Sequence, residues 1–297
     1  MPLPPVCLVD ASIYLFRAWH SMPDAFENDR GEPTNAVYGF TGFLCSLLEQ
    51  ARPQHVGVAF DLSLTTSFRN EIYPDYKANR EPAPEELKRQ FAWAQAMAEA
   101  MGLKCYGDPR FEADDLIGTL AVHWRDRGHP VHVVTGDKDL AQLLRENDLW
   151  WNFASNQKLD PAAVTEKFGV RPEQLPDYLA LTGDSVDNIP GVPGVGAKTA
   201  AALLAHFGTL ESLWDRRGEI EHIRIRGARG LAAKLSEHRE TVALARRLTV
   251  IETRVPSALA DPDITRGDAD RAALNRLFDD LAFGRMLRER ALAAAQS

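Results

Sequence analysis

Three short apolar runs in the first half of the chain each close on an aspartate. They are PVCLVD (5–10), HVGVAFD (55–61) and PVHVVTGD (130–137), ending in Asp10, Asp61 and Asp137. Runs this short and this rich in valine read as parallel strands buried on both faces. Segments with apolar residues at helical spacing lie between them, at 36–50, 85–101 and 114–127. The alternation predicts an α/β fold with a mainly parallel central sheet flanked by crossover helices. In open parallel sheets, sites form in the crevice outside the carboxyl ends of the strands. One strand-terminal Asp is more often the N-cap of the following helix; three of three are expected to face a common crevice.

Further acids stand at element junctions: Glu112, Asp114 and Asp115 in FEADDLIGTLA, Asp137 and Asp139 in TGDKDLAQLL, Asp184 and Asp187 in LTGDSVDNIPG. Taken singly, these groups are explained by charge at a helix N-terminus or by Asx turns. With Asp10 and Asp61 they make nine carboxylates. So many anions in one pocket would repel and raise each other's pKa. Hard divalent cations with oxygen ligands, Mg²⁺ or Mn²⁺, relieve that conflict. No His or Cys recurs with these acids, which speaks against zinc. Two ions about 3.5–4 Å apart can clamp the attacking and leaving oxygens of a phosphodiester displacement. A net charge of −8 and a pI near 5.5 are unfavourable for a nucleic-acid partner, but acids gathered in a metal site are neutralised by the metal.

Basic residues are gathered elsewhere. The segment 68–90 holds Arg69, Tyr73, Tyr76, Lys77, Arg80, Lys88 and Arg89, broken by Pro74, Pro82 and Pro84. It reads as a mobile excursion over the crevice, suited to phosphate contact and base stacking on a single strand, or else as an exposed amphipathic loop. A second stretch, 222–239, offers Arg224, Arg226, Arg229 and Lys234 as backbone contacts or as solvated helix charge. The run GVPGVGAKTAAALLAHFG (191–208) nearly matches a P-loop, but Ala197 stands where the lysine belongs and Lys198 comes one place late. A glycine-rich helix start of this kind can instead grip a phosphate of duplex DNA, with Lys198 and Thr199 adding contacts, or else it is a plain tight turn.

No convincing strand follows residue 160, so the chain divides into an α/β core over 1–170, with an arch at about 68–100, and a helical region over 171–297. No apolar run is long enough to span a bilayer, and MPLPPVCLVDAS, without a basic region followed by a long apolar stretch, is not expected to be a secretory leader. Cys7, Cys45 and Cys105 form no CxxC pair. A cytoplasmic monomer is expected.

The motifs LVDASIYLFRAWH, GEPTNAVYGF, FRNEIYPDYKANR, EADDLIGTLA, VVTGDKDLAQLL and LTGDSVDNIPGVPGVGAKTA, in that order, resemble the 5′ nuclease family. That family takes in the 5′–3′ exonuclease domain of bacterial DNA polymerase I, phage 5′–3′ exonucleases and flap endonucleases. The resemblance runs from about residue 6 to about 290. It implies a resolvase-like (PIN-like) nuclease core, a helical arch and a helix–turn–helix-type DNA-binding element. It implies a first metal group of Asp10, Asp61, Glu112 and Asp114, a second of Asp137, Asp139, Asp184 and Asp187, and Asp115 between or supporting them. Lys77 and Arg80 match arch residues at the scissile phosphate, Tyr76 an aromatic near the reacting nucleotide, and Arg17 and Arg69 further phosphate contacts. Gly191, Gly194 and Gly196 match a loop that holds K⁺ beside duplex DNA. SLTTS (63–67) departs from the glycine-containing turn usual there. The implied activity is two-metal hydrolysis of DNA at 5′ ends and 5′ flaps, leaving 5′-phosphate and 3′-hydroxyl, in replication and repair. The chain ends where a polymerase would continue, so a stand-alone nuclease is expected, as an excised polymerase domain would also look. Two other readings are an aspartyl-phosphate phosphatase with Asp10 as nucleophile, although Ser12 stands where a second Asp is usual, and a DNA-binding protein with a degenerate site.

Overall fold

In the computed structural model, which describes residues 3–23, 25–63, 65–223, 225 and 227–296, the apolar runs form the middle of a six-stranded sheet. The strands are β1 (Val6–Asp10), β2 (Val56–Asp61), β3 (Lys104–Asp108), β4 (Val131–Val134), β5 (Leu149–Asn152) and β6 (Gln157–Leu159). They lie in the order β3-β2-β1-β4-β5-β6. All neighbours are parallel except β6, which runs antiparallel to β5. The unbroken apolar runs follow from burial on both faces. In β1, Val6 and Leu8 enter one core, while Cys7 and Val9 enter the other, as the two-residue period of a strand requires.

Helices Ala11–Ser21, Asn35–Ala51 and Glu85–Ala100 cover the second face, and Ala113–Arg125 covers the first. The chain builds β1, β2 and β3 in one direction and then returns to the other side of β1 to add β4 and β5. The order therefore reverses between β1 and β4, the switch point at which open parallel sheets place their crevice, outside the strands' carboxyl ends. Helices Leu175–Thr182, Ala197–Phe207, Ala228–Glu237 and Arg239–Thr249 add Leu181, Leu203, Leu235 and Leu248 to the first core. Helices Arg271–Asp280 and Arg285–Ala294 return to the opposite face, where Phe278 and Leu287 share a core with Phe40 and Met97. The last helices thus pack with the 1–170 portion rather than with the rest of 171–297.

Three expectations are corrected. The third run leaves the sheet at Val134, so Asp137 sits three residues beyond the strand, in a loop. Strands β3, β5 and β6 were not foreseen: the first alternates poorly, and the others are four and three residues long. The segment 68–100 is not a free arch. Its first part is the short helix Phe68–Ile72 followed by tight turns. Its second part, Glu85–Ala100, is a core helix that buries Leu87, Ala94, Met97 and Ala98.

Candidate metal centre at the carboxyl edge of the sheet

The crevice between β1 and β4 is built around Asp10, only 5% exposed. Its Oδ1 accepts the Ile13 N–H at 3.3 Å, capping the next helix. Its Oδ2 accepts the Thr135 hydroxyl at 2.9 Å, which ties the end of β1 to the loop after β4. Beside it, the Asp61 N–H donates to Ser12 Oγ at 2.9 Å and Asp61 Oδ1 accepts the Ala113 N–H at 2.8 Å. The start of helix Ala113–Arg125 is thereby pulled against β2, bringing Asp114 over the crevice. In TGDKD, Asp137 Oδ1 accepts the Asp139 N–H at 2.8 Å, which fixes the turn between those acids. In the 184–189 turn, Asp184 Oδ1 accepts the Val186 N–H at 2.8 Å, and Asp184 and Ile189 pair through their backbones. The ordinary capping and turn roles of these acids are therefore real, and they set the acids' positions.

The electrostatics show that the groups share one space. Burial first, and then the charges of Asp61 and Asp137, push the Asp10 carboxyl up to about 7. Burial and the neighbouring Asp137 and Asp10 raise Asp114 well above the ordinary carboxylate range. Burial and Asp137 take Asp139 to about 7, with Asp184 and Asp187 adding to it. Asp61 and Asp137 are raised as well, by burial first. Glu112 and Asp184 go the other way. Burial raises both, but Lys77 and Arg69 outweigh it at Glu112 and Lys138 outweighs it at Asp184.

The basic turn 73–80 is stitched onto the acidic turn. The Lys77 N–H donates to the Asp187 carbonyl at 2.9 Å, Asn79 Nδ2 to the Ser185 carbonyl at 2.9 Å, and Asn188 Nδ2 to the Asp75 carbonyl at 2.7 Å. Lys77 is held at φ 55, a left-handed conformation rare for a side-chain-bearing residue. Its Nζ reaches Glu112 Oε1 at 2.7 Å and lies 3.9 Å from Asp187. Arg80 pairs with Asp187.

The predicted residues divide as follows. Asp10, Asp61, Glu112, Asp114, Asp137, Asp139, Asp184, Asp187, Lys77 and Arg80 are brought together. Asp115 is not among them. It is fully buried and turned away, its oxygens accepting from Arg69 at 2.7 and 2.8 Å and from the Glu112 and Glu252 N–H groups. Arg69 is likewise withdrawn, 2% exposed and bonded to Asp115, Glu112 and the carbonyls of Leu248 and Val250, so it has no face for a phosphate. Tyr76 is 3% exposed, with its hydroxyl between Glu112 and Asp187, and cannot stack on a base. Arg17 is exposed about two turns along the helix from Asp10.

Gly196 caps helix Ala197–Phe207, with Lys198 exposed and Thr199 half-buried at its start. Gly191 passes so close to Gly183 that a Cβ would lie 2.3 Å from the Gly183 nitrogen, and Gly194 has φ +79. Lys234 reaches over Gly194, which brings the second basic stretch to this loop. Arg229 is exposed, while Arg224 and Arg226 lie outside the described residues. Sequence reasoning missed Thr135, Ser12 and Lys138. Lys138 was legible as the one cation between two acids in TGDKD.

Among the described residues no trio of acids is already gathered closely enough to hold an ion. Lys77, Arg80 and Lys138 lie between the carboxylates instead. The donor chemistry nevertheless suits a hard divalent cation: all donors are carboxylate oxygens, burial and mutual repulsion raise the pKa of several, and the buried Asp139 Oδ1 has no hydrogen-bond partner.

A doubly wound sheet with an acid-lined crevice at its switch point, joined to a helical module that carries a glycine-rich hairpin, places the chain among acid-centred α/β proteins. It belongs to the 5′–3′ exonuclease family. Residues 5–169 match the description "5′-3′ exonuclease, N-terminal resolvase-like domain", and residues 170–272 match "5′-3′ exonuclease, C-terminal SAM fold". The chain is 41% identical over 300 residues to DNA polymerase I of Mycobacterium bovis, covering 98% of this chain and 32% of that protein. It is 43% identical over 280 residues to the Pseudomonas aeruginosa enzyme, covering 94% and 30%. The chain thus spans about a third of the curated relatives it matches. A structure described as divalent metal ions (zinc) bound to T5 5′-exonuclease shares the fold, with a TM-score of 0.65 at 20% identity and 98% coverage of both chains.

Proposed function

We propose that this chain is a divalent-metal-dependent 5′ nuclease that hydrolyses phosphodiester bonds of DNA at or near 5′ ends and 5′ flaps, leaving 5′-phosphate and 3′-hydroxyl, and that it serves replication and repair. The observation that carries this reading is the gathering of eight carboxylates from β1, β2, the start of helix Ala113–Arg125, the TGDKD loop and the 184–189 turn at the sheet's switch point. Metal ions bound to the T5 5′-exonuclease, and a complex of a T5 flap endonuclease with DNA and metal ions, support it.

Asp10, Asp61, Glu112 and Asp114 would hold one Mg²⁺ and Asp137, Asp139, Asp184 and Asp187 a second, with Mn²⁺ as a substitute. When bound, such ions neutralise the carboxylates, activate water and offset charge on a phosphoryl group. The chain's own residues do the rest. Thr135 and Ser12 keep Asp10 and Asp61 aimed into the crevice. Lys77 and Arg80, strung along a turn anchored at both ends, sit where a phosphodiester between the two acid groups would be met by cationic donors. Arg17, Lys198, Thr199 and the Gly191–Gly196 loop would take duplex backbone, with K⁺ at that loop. A cytoplasmic monomer fits this reading, and no helix among the described residues is long and apolar enough to cross a membrane. The phosphatase alternative is weakened because Ser12, in place of a second Asp, is committed to the Asp61 N–H.

The test is digestion of a 5′-flap DNA, labelled at either end, with Mg²⁺, Mn²⁺ or chelator. Cleavage near the junction with either metal, none with chelator, and near-complete loss in Asp139→Asn with flap binding retained are expected. Metal-independent cleavage, or full activity in that variant, would refute the assignment.

A further inference from the structure

Lys138 lies inside the VVTGDKDLAQLL motif but has no part in the proposed chemistry. Its Nζ lies 2.7 Å from Asp184 Oδ2 and 3.6 Å from Asp139 Oδ1. The second distance is beyond a hydrogen bond, and Asp139 Oδ1 is the buried oxygen without a hydrogen-bond partner. The other acids of this group are engaged elsewhere, Asp187 by Arg80 and Asp137 by the Asp139 N–H. Among the described residues Lys138 is the one side-chain cation paired with Asp184 or Asp139. Its side chain is 45% exposed, so the ammonium can leave on its four-carbon stem without opening the core.

We propose that Lys138 is a resident counter-cation of the second carboxylate group. It competes with a divalent ion for Asp184 and Asp139 and so makes the second metal site the weaker of the two. This inference rests on the metal-centre reading and deepens it. A cation entering between Asp139 and Asp184 meets the Lys138 ammonium a few ångströms away, and it binds only as that ammonium withdraws. The first group has its own lysine, Lys77, but Lys77 is confined by its turn and by Glu112, whereas Lys138 is free to move into solvent. Second-site occupancy would then follow divalent-ion concentration across a range where the first site is already filled, and loss of the ammonium would remove that separation.

The test is Mn²⁺ titration of the full chain, with free ion followed by electron paramagnetic resonance, for the wild type, Lys138→Met and Lys138→Gln. For unit charges this close, partly screened by solvent, about a tenfold tightening of the weaker site is expected in both variants, with the tighter constant unchanged. An unchanged or weakened second site would overturn the inference, as would equal tightening of both sites, which would mark a general field effect. A residue that merely props up Asp184 would loosen the second site when removed. A wild-type chain that takes up no Mn²⁺ at all would bring down the metal-centre reading itself. Two bound ions with no response at position 138 would bring down this inference alone.

Discussion

Arg69 donates twice to Asp115 and once each to the carbonyls of Leu248 and Val250, with its side chain 3% exposed. Removing one partner of such a pair leaves a buried, uncompensated charge, a loss of about 3–5 kcal/mol. Arg69→Met should lower unfolding stability by that amount in denaturant titration, while the folded fraction keeps its affinity for flap DNA. A large fall in DNA affinity with stability intact would return Arg69 to the phosphate-binding role that its sequence neighbourhood suggested. Lys77 is the opposite case: a cation aimed into the crevice by a strained backbone. Lys77→Ala should reduce single-turnover cleavage by about 10²–10³-fold, as loss of a preorganised charge donor does, with flap affinity changed by less than tenfold. A parallel fall in both would make Lys77 a binding residue only. Nothing in the residue types separates Arg69 from Lys77. Only the fold decides which guanidinium or ammonium meets an acid inside the protein and which meets one in the crevice.

The crossing of the 183 and 191 backbones sets the geometry of the hairpin that leads into helix Ala197–Phe207. A methyl group at Gly191 would sit 2.3 Å from backbone atoms of Gly183 and Thr182, and backbone cannot yield cheaply. Gly191→Ala should therefore cost about 1–3 kcal/mol or more and weaken duplex binding. Gly42 lies inside helix Asn35–Ala51 with nothing within 4 Å of its would-be Cβ. Gly42→Ala should stabilise by about 0.5–1 kcal/mol. Thermal melts of the two variants check both signs. At this scale the sequence was most informative where a strand is buried on both faces: β1, β2 and β4 announce themselves as valine runs. It said little where an edge strand is brief, as in β5 and β6, or where a strand-ending acid has no role in the crevice. Asp108 ends β3 as Asp61 ends β2, yet it only accepts from Ser257 and from the Arg110 and Phe111 N–H groups. The acids' shared location followed from strand order. The stitching of turn 73–80 to turn 184–189 did not, because it depends on backbone carbonyls that any residue could supply.

Across the whole molecule, the buried acids of the crevice are the charges that oppose folding unless they are neutralised. Asp10 and Asp139 have folded-state values raised to about 7 from unfolded values near 3.9. The folded protein therefore binds more protons than the unfolded chain between those limits, and stability falls as pH rises through about 7. His55, His123 and His132 are lowered by burial. They oppose this trend only below their unfolded value near 6.5. The clear window is thus pH 6.5–8. In chelator, unfolding free energy should decline there by about 1 kcal/mol per pH unit from Asp10 and Asp139, and more steeply to the extent that Asp114, raised as well, keeps its proton. With Mn²⁺ or Mg²⁺ the decline should flatten, and metal binding should release protons. A chelated protein that gains stability over this window would contradict the reading of Asp10 and Asp139.

The most direct measurement is anomalous diffraction from crystals soaked in Mn²⁺. Two peaks are expected in the crevice, one among Asp10, Asp61, Glu112 and Asp114 and one among Asp137, Asp139, Asp184 and Asp187, with Asp115 still paired to Arg69. No peak in the crevice at saturating Mn²⁺, or manganese held only at other acids, would contradict the metal centre on which the nuclease chemistry depends.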